Sequence, residues 1–203
     1  MRSLSEIDTL SKRASKGIGF SWGISEEIGK SIRLMEMFGL PGLKNLNNYF
    51  KVFKKSQFQN ISLITDINIS NKIPYCPLIT GVNFMDQIHT LEKYNKITFN
   101  NMAYPILLIP FISRSSEIIG KRLSLKVENE IFLLNFNQSI NLKSNLSNLK
   151  DKVEVLEVEF LKNENTFDEK DWEELYKISE ETFVKENESL KNTAAGAGLT
   201  DND

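Results

Sequence analysis

The chain has 203 residues, 40% of them hydrophobic and 26% charged. This is the balance of a folded domain with a sizeable core, and it excludes a low-complexity chain. No apolar run reaches the length needed to cross a bilayer, and the single cysteine, Cys76, excludes an internal disulfide and a cysteine zinc cluster. The net charge of −2 is unevenly placed: residues 1–57 hold ten Lys/Arg against five Asp/Glu, and residues 164–203 hold twelve Asp/Glu against four Lys/Arg.

Ser3 and Glu6 stand at capping-box spacing, so a first helix is expected from there, with Ile7, Leu10 and Ala14 on one face and a stop near Gly17. A second helix is expected over 25–38, with the stripe Ile28, Ile32 and Met35. Gly29 inside it suits a close helix crossing or the approach of a ligand. After the turn GLPGL, a third helix carries Leu43, Leu46, Phe50 and Phe53. Its basic stretch YFKVFKK (49–55) reads as the C-terminal end of a helix rather than a nucleic-acid face.

In the middle of the chain, ISLITDI (61–67) reads as a strand and PYCPLITG as a loop. A helix is expected over 81–93, and YPILLIPFI (104–112), apolar on both faces, as a central strand. RLSLKV and EIFLLNF, joined by a short turn, form a hairpin, and VEVLEVEF (153–160) alternates as another strand. The Asn-rich segment 137–152 reads as a loop. A last helix starts near Thr166 or Asp168, with Trp172, Leu175, Tyr176, Ser179 and Phe183 as its buried face. The expected architecture is α+β in a single domain. A helical N-terminal layer (1–57) packs on a mainly antiparallel sheet (58–162), followed by a C-terminal helix and an ordered tail (163–203).

The candidates for chemistry are few. The lone His89 has no acidic neighbour or nucleophile elbow beside it and reads as a surface histidine; Cys76 reads as a buried core residue. GIGFSWGISEE sets Ser21 and Trp22 among glycines before a helix N-terminus, an arrangement able to offer amides to an anion. Arg114, expected at the end of the central strand beside Ser113, Ser115 and Ser116, suits a carboxylate or phosphate. In the closing AAGAGLTDND, Gly196 and Gly198 allow a sharp backbone turn, and Asp201, Asn202 and Asp203 supply hard oxygen ligands. No metal and no cofactor is assigned to them.

The blocks GFSWGISEEIGKSIRLMEMFGLPGL, YCPLITG, YPILLIPFISR, ETFVKENES and the closing GAGLTDND resemble an uncharacterised bacterial family, number 3726 of the domains of unknown function. The resemblance runs over nearly the whole chain and implies one fold without implying an activity. A weaker likeness ties the first helices to malate/L-sulfolactate dehydrogenases, whose Ser-His-Gly turn corresponds here to FGLPGL without a histidine.

Two functions are expected from these features. The first is a small-molecule enzyme or binding protein whose site joins Ser21 and Trp22, Arg114 and the tail residues Gly196, Gly198, Asp201, Asn202 and Asp203. The second is an accessory or scaffolding protein acting through a homodimer or a partner enzyme, because the oppositely charged ends attract one another. Neither nucleic acid nor membrane is an expected partner. A cytoplasmic location is expected, because MRSLSEIDTL lacks the apolar core of a signal peptide.

Overall fold

The computed structural model describes residues 2–53, 57–135, 139–142, 149–162 and 167–182. The chain divides into two compact units, Met1–Asn163 and Glu164–Asp203. The first unit opens with α1 (Leu4–Ile18), α2 (Trp22–Met37) and α3 (Gly42–Phe53). The capping box is present: Ser3 accepts from the Glu6 amide, and the Glu6 carboxylate accepts from the Ser3 amide. The helix runs through Gly17 and ends at Gly19, whose φ of 119° is open to glycine and costly for other residues.

Gly29 marks a close helix crossing. A Cβ placed on it would stand 2.9 Å from the carbonyl oxygen of Asp8 on α1. The buried serines Ser11, Ser15, Ser25 and Ser31 keep these helices narrow. The Ser15 and Ser25 hydroxyls donate to carbonyls one turn back, those of Ser11 and Ser21, so they add no unpaired donor.

Among the described residues, six strands form one sheet: β1 (Ile67–Ile69), β2 (Lys96–Ala103), β3 (Leu123–Val127), β4 (Glu130–Asn135), β5 (Ser139–Leu142) and β6 (Lys152–Phe160). Their order is β1-β2-β6-β3-β4-β5. Of the pairings between these strands, that of β1 with β2 is parallel and the other four are antiparallel. The mixed sheet and the helices make the α+β architecture that was expected. The register aligns Ile97, Val158, Leu125 and Phe132 across four strands. All four are buried, and such a row fixes register because a one-residue slip would turn it to solvent. The loop segment 137–152 contains one strand more than expected, β5 at the sheet edge.

Two expected strands are corrected. YPILLIPFI is not a strand: Tyr104 has a left-handed backbone (φ 42°), Pro105–Leu108 form a 3-10 turn, and α5 runs from Ile109 to Ile119. Pro105 and Pro110 each sit in a first helical turn, where a missing N–H costs nothing; in a central strand each would break a ladder bond. Of ISLITDI, only Ile67 is in a strand. The backbone before it is held by side chains of α4 (Pro77–Leu91): Asn83 donates to the Ile61 carbonyl, Gln87 donates to the Ser62 carbonyl, and Gln87 accepts from the Ile64 amide. PYCPLITG is likewise no loop throughout, because Pro77 opens α4 and Cys76 caps it.

The helices α4 and α5 cross at Gly81 and Phe111, α5 packs on β3 and β4, and α2 packs on both α4 and α5. The N-terminal layer is thus seated on the sheet through this middle pair of helices. Among the described residues, no helix is long and apolar enough to cross a membrane.

The second unit contains α6 (Glu169–Glu180), capped by Asp168 in a reciprocal pair with Asp171. Taken by itself, this helix has Trp172, Leu175 and Tyr176, part of the face expected to be buried, all more than half exposed. Within this unit, the described residue that reaches the stripe is Phe167, stacked on Trp172 at 5.8 Å. Thr166, Phe183 and the tail lie outside the described residues.

Candidate functional site

Lys30, Arg33, Leu34 and Met37 recur at helical spacing along one flank of α2, next to its buried stripe Ile28, Ile32 and Met35. Arg114 and Glu117 lie one turn apart on α5. These six residues line a groove of about 260 Å³. Its charged floor is organised by Glu27. Arg114 Nη2 stands 2.5 Å from Glu27 Oε2, and Lys30 Nζ donates to Glu27 Oε1 at 2.7 Å. Arg114 Nη1 also donates a long bond to Ser31 Oγ at 3.4 Å. On the other rim, Arg33 faces Asp8 Oδ2 of α1 at 3.7 Å.

Exposure separates the three cations. The Arg114 side chain is 20% exposed, whereas those of Lys30 and Arg33 are 50% and 52% exposed. Arg114 is therefore the anchored, partly desolvated charge, and the other two can swing over the groove. Partial burial raises the Glu27 carboxyl, but its bonds to Lys30 and Arg114 and their positive charges outweigh that and hold it below the ordinary carboxylate range. Glu27 is thus an internal anion, neutralising cations that could take an external carboxylate or phosphate in its place. The planar guanidinium of Arg114 suits such an exchange, because two oxygens can be bound at once.

Of the residues expected at the site, Arg114 is on this groove, although it projects from a helix and not from a strand end. Ser21 and Trp22 do not line it. Ser21 is the N-cap of α2, with its hydroxyl accepting from the Ile24 amide at 3.4 Å. Trp22 begins the helix, is 56% exposed, and has Lys16 Nζ 5.5 Å from its ring centre. The glycine-framed stretch therefore joins two helices through adjacent caps. Gly196, Gly198, Asp201, Asn202 and Asp203 lie outside the described residues. Lys30 and Arg33 were missed by the sequence reading; the available signal was the polar spacing Glu27, Lys30, Arg33 beside an apolar stripe.

The other reactive side chains are placed as core or surface. Cys76 is fully buried; its sulfur accepts from the Tyr49 hydroxyl at 2.9 Å and from the Ile79 amide at 3.4 Å. Burial pushes its thiol up, away from the thiolate that nucleophilic attack requires. His89 is exposed, and the expectation that it has no acidic neighbour is corrected: its Nδ1 stands 3.6 Å from Glu92 Oε1, one helical turn on. Among the described residues, no group of three or more His, Cys, Asp or Glu is placed to hold a metal ion.

No curated protein and no solved structure matches the chain. Residues 2–74, which hold α1, α2, α3 and β1, match the family model described as a protein of unknown function, DUF3726, so across the helical layer that supplies Lys30 and Arg33 the chain is similar to that family, as the sequence resemblance implied.

Proposed function

We propose that the protein binds a small anionic molecule, a carboxylate or a phosphate ester, in the groove between α2 and α5. One observation carries this reading: Lys30 and Arg33 from one helix and Arg114 from another line the same groove, with Glu27 already occupying the position of an anion between two of them. A bound anion would gain Arg114 in a partly desolvated setting, where a charge-assisted bond is about twice as strong as a neutral one. Lys30 and Arg33 would close over the ligand from the solvent side. Leu34 and Met37 supply an apolar wall for a short carbon skeleton. The described residues of this groove offer anion binding and orientation, and binding is accordingly the function assigned.

The test is thermal unfolding with inorganic phosphate or malonate, at an ionic strength held constant with chloride. A specific anion should raise the stability by about 1.4 kcal/mol for each tenfold rise in concentration above its dissociation constant. Arg114→Met and, separately, the more exposed Arg33→Met should each weaken or remove that response. An equal response in the parent and in both variants would show that the anions act elsewhere, and the reading would fail.

A further inference from the structure

A second surface shares no residue with the anion groove. Along α1 and α3, Leu10, Ala14, Leu43, Leu46 and Phe50 line an apolar groove of about 490 Å³. Leu10 in its wall is 60% exposed, and with Leu43 and Phe50 beside it in the groove it belongs to a contiguous apolar patch rather than standing as a scattered leucine. Basic residues border it: Lys44 lines it directly, and Lys51 lines its continuation past Ala14 and Phe50. Neither lysine has an acidic partner among the described residues.

The complementary surface is on the same chain. Considered by itself, α6 is a helix with an uncovered apolar stripe. Trp172, Leu175 and Tyr176 fall at i, i+3 and i+4, all more than half exposed, with Phe167 stacked at the head of the stripe. Its polar flanks are acidic, with seven Asp/Glu against two Lys between Asp168 and Glu181. From Trp172 to Tyr176 the stripe spans about 6 Å at the helical rise, the length that α1 covers from Leu10 to Ala14 in the groove. An apolar stripe with acidic flanks and an apolar groove with basic borders are the two halves of a helix-in-groove contact.

We infer that the α1/α3 groove is the docking site for α6 of a second copy of this chain, exchanged reciprocally in a two-fold dimer. Reciprocal exchange covers both apolar surfaces on both copies and leaves no unfilled groove, so the assembly closes at two. The Trp172 ring enters beside Leu10 and Phe50. Glu173 and Glu174 lie against Lys44 and Lys51. The charges set which partner is accepted, while the aromatic and aliphatic side chains supply most of the affinity.

Charge exchange between copies tests this in the full-length protein. The substituted residues are exposed or rim residues, so folding is not at stake. Sedimentation should show a dimer whose dissociation constant rises with salt. The groove-reversed variant (Lys44→Glu with Lys51→Glu) and the helix-reversed variant (Glu173→Lys with Glu174→Lys) should each dissociate at least tenfold more readily. Mixing the two variants should restore a dimer, because both exchanged contacts are then complementary. A parent that stays monomeric would overturn the inference, as would a dimer undisturbed by either variant or a mixture that stays monomeric. A monomer in which Trp172 fluorescence, read in a Trp22→Phe background, is shielded from a soluble quencher would also overturn it, by making the occupant something other than a second copy.

Discussion

Replacing Gly81 by alanine is a severe test of the packing, although it adds one methyl group. Gly81 lies inside α4, where alanine is intrinsically better than glycine by about 1 kcal/mol. Propensity alone therefore predicts stabilisation. The structure predicts the opposite: a Cβ at this position would stand 2.5 Å from Cγ and 3.0 Å from Cβ of Phe111 on α5. Carbon atoms pack comfortably at roughly 3.5–4.0 Å, so about 1 Å of movement is demanded. A side-chain rotation does not provide it, because the contact includes Phe111 Cβ, at the root of the side chain. Phe111 is fully buried, with Phe84, Ile112 and Leu108 equally buried around it. The helices must separate, and overpacking of that kind costs about 1–3 kcal/mol.

Gly81→Ala should thus lose about 1–2 kcal/mol net, a fall in Tm of several degrees for a domain of this size. Gly23→Ala is the matched control: it makes the same chemical change in a helix where nothing stands within 4 Å of the added atom, and it should gain about 0.4–1 kcal/mol. Urea unfolding measures both. The cause is isolated by Phe111→Ala, which removes the Cγ and Cδ2 atoms that the added methyl would meet most closely; in that background Gly81→Ala should cost less, with a coupling of about 1 kcal/mol. A Gly81→Ala protein as stable as the parent, or a cost unchanged beside Ala at 111, would refute the crossing geometry.

Other outcomes follow from single contacts. Ser3→Ala removes the first cap and should cost about 1 kcal/mol in urea unfolding, since the Glu6 amide then loses its acceptor. The Glu27 carboxyl is held below its ordinary range in the folded chain, so its contribution is present above the unfolded carboxylate pKa and fades as pH falls through the folded value. Arg114→Met should therefore flatten the acid limb of stability against pH, measured by thermal unfolding, and an unchanged limb would deny Glu27 that role. The Cys76 thiol should react with a maleimide only at the rate of unfolding, because it is fully buried and raised by burial. Rapid labelling of the native protein would contradict that placement.

How far the sequence could be read depended on how local each signal was. The Ser3–Glu6 capping box, the stripe of α2, the β3–β4 hairpin and the alternation of β6 all lie within a few residues, and each is present in the fold. YPILLIPFI was misread because a segment surrounded by core shows no periodicity, whichever structure it adopts. Its prolines held the missing information: Pro105 and Pro110 lack the N–H that a central strand would need, and both were suited to first helical turns. ISLITDI was misread for a different reason. Its backbone partners are Asn83 and Gln87, side chains about twenty residues away, and no local pattern announces them.

The groove was harder to read than the fold, and the reason is geometric. Arg114 stood out because serines surround it, yet those serines are mostly helix packing: Ser113 and Ser115 are fully buried, and the Ser115 hydroxyl returns to the Phe111 carbonyl at 2.9 Å. What gives Arg114 its setting is Glu27, eighty-seven residues earlier, and the two meet because α2 lies against α5. That approach requires small residues where the helices cross, with Ser31 of α2 lying within 3.4 Å of Arg114 itself. Had the expected strand 104–112 run on through Glu117, side chains would have alternated along it, and Arg114 and Glu117 would have pointed to opposite faces. On a helix, their spacing of three places both on the groove. The helical assignment of a single apolar segment therefore decides whether Arg114 has Lys30 and Arg33 as neighbours, and with them the charge that an incoming anion would meet.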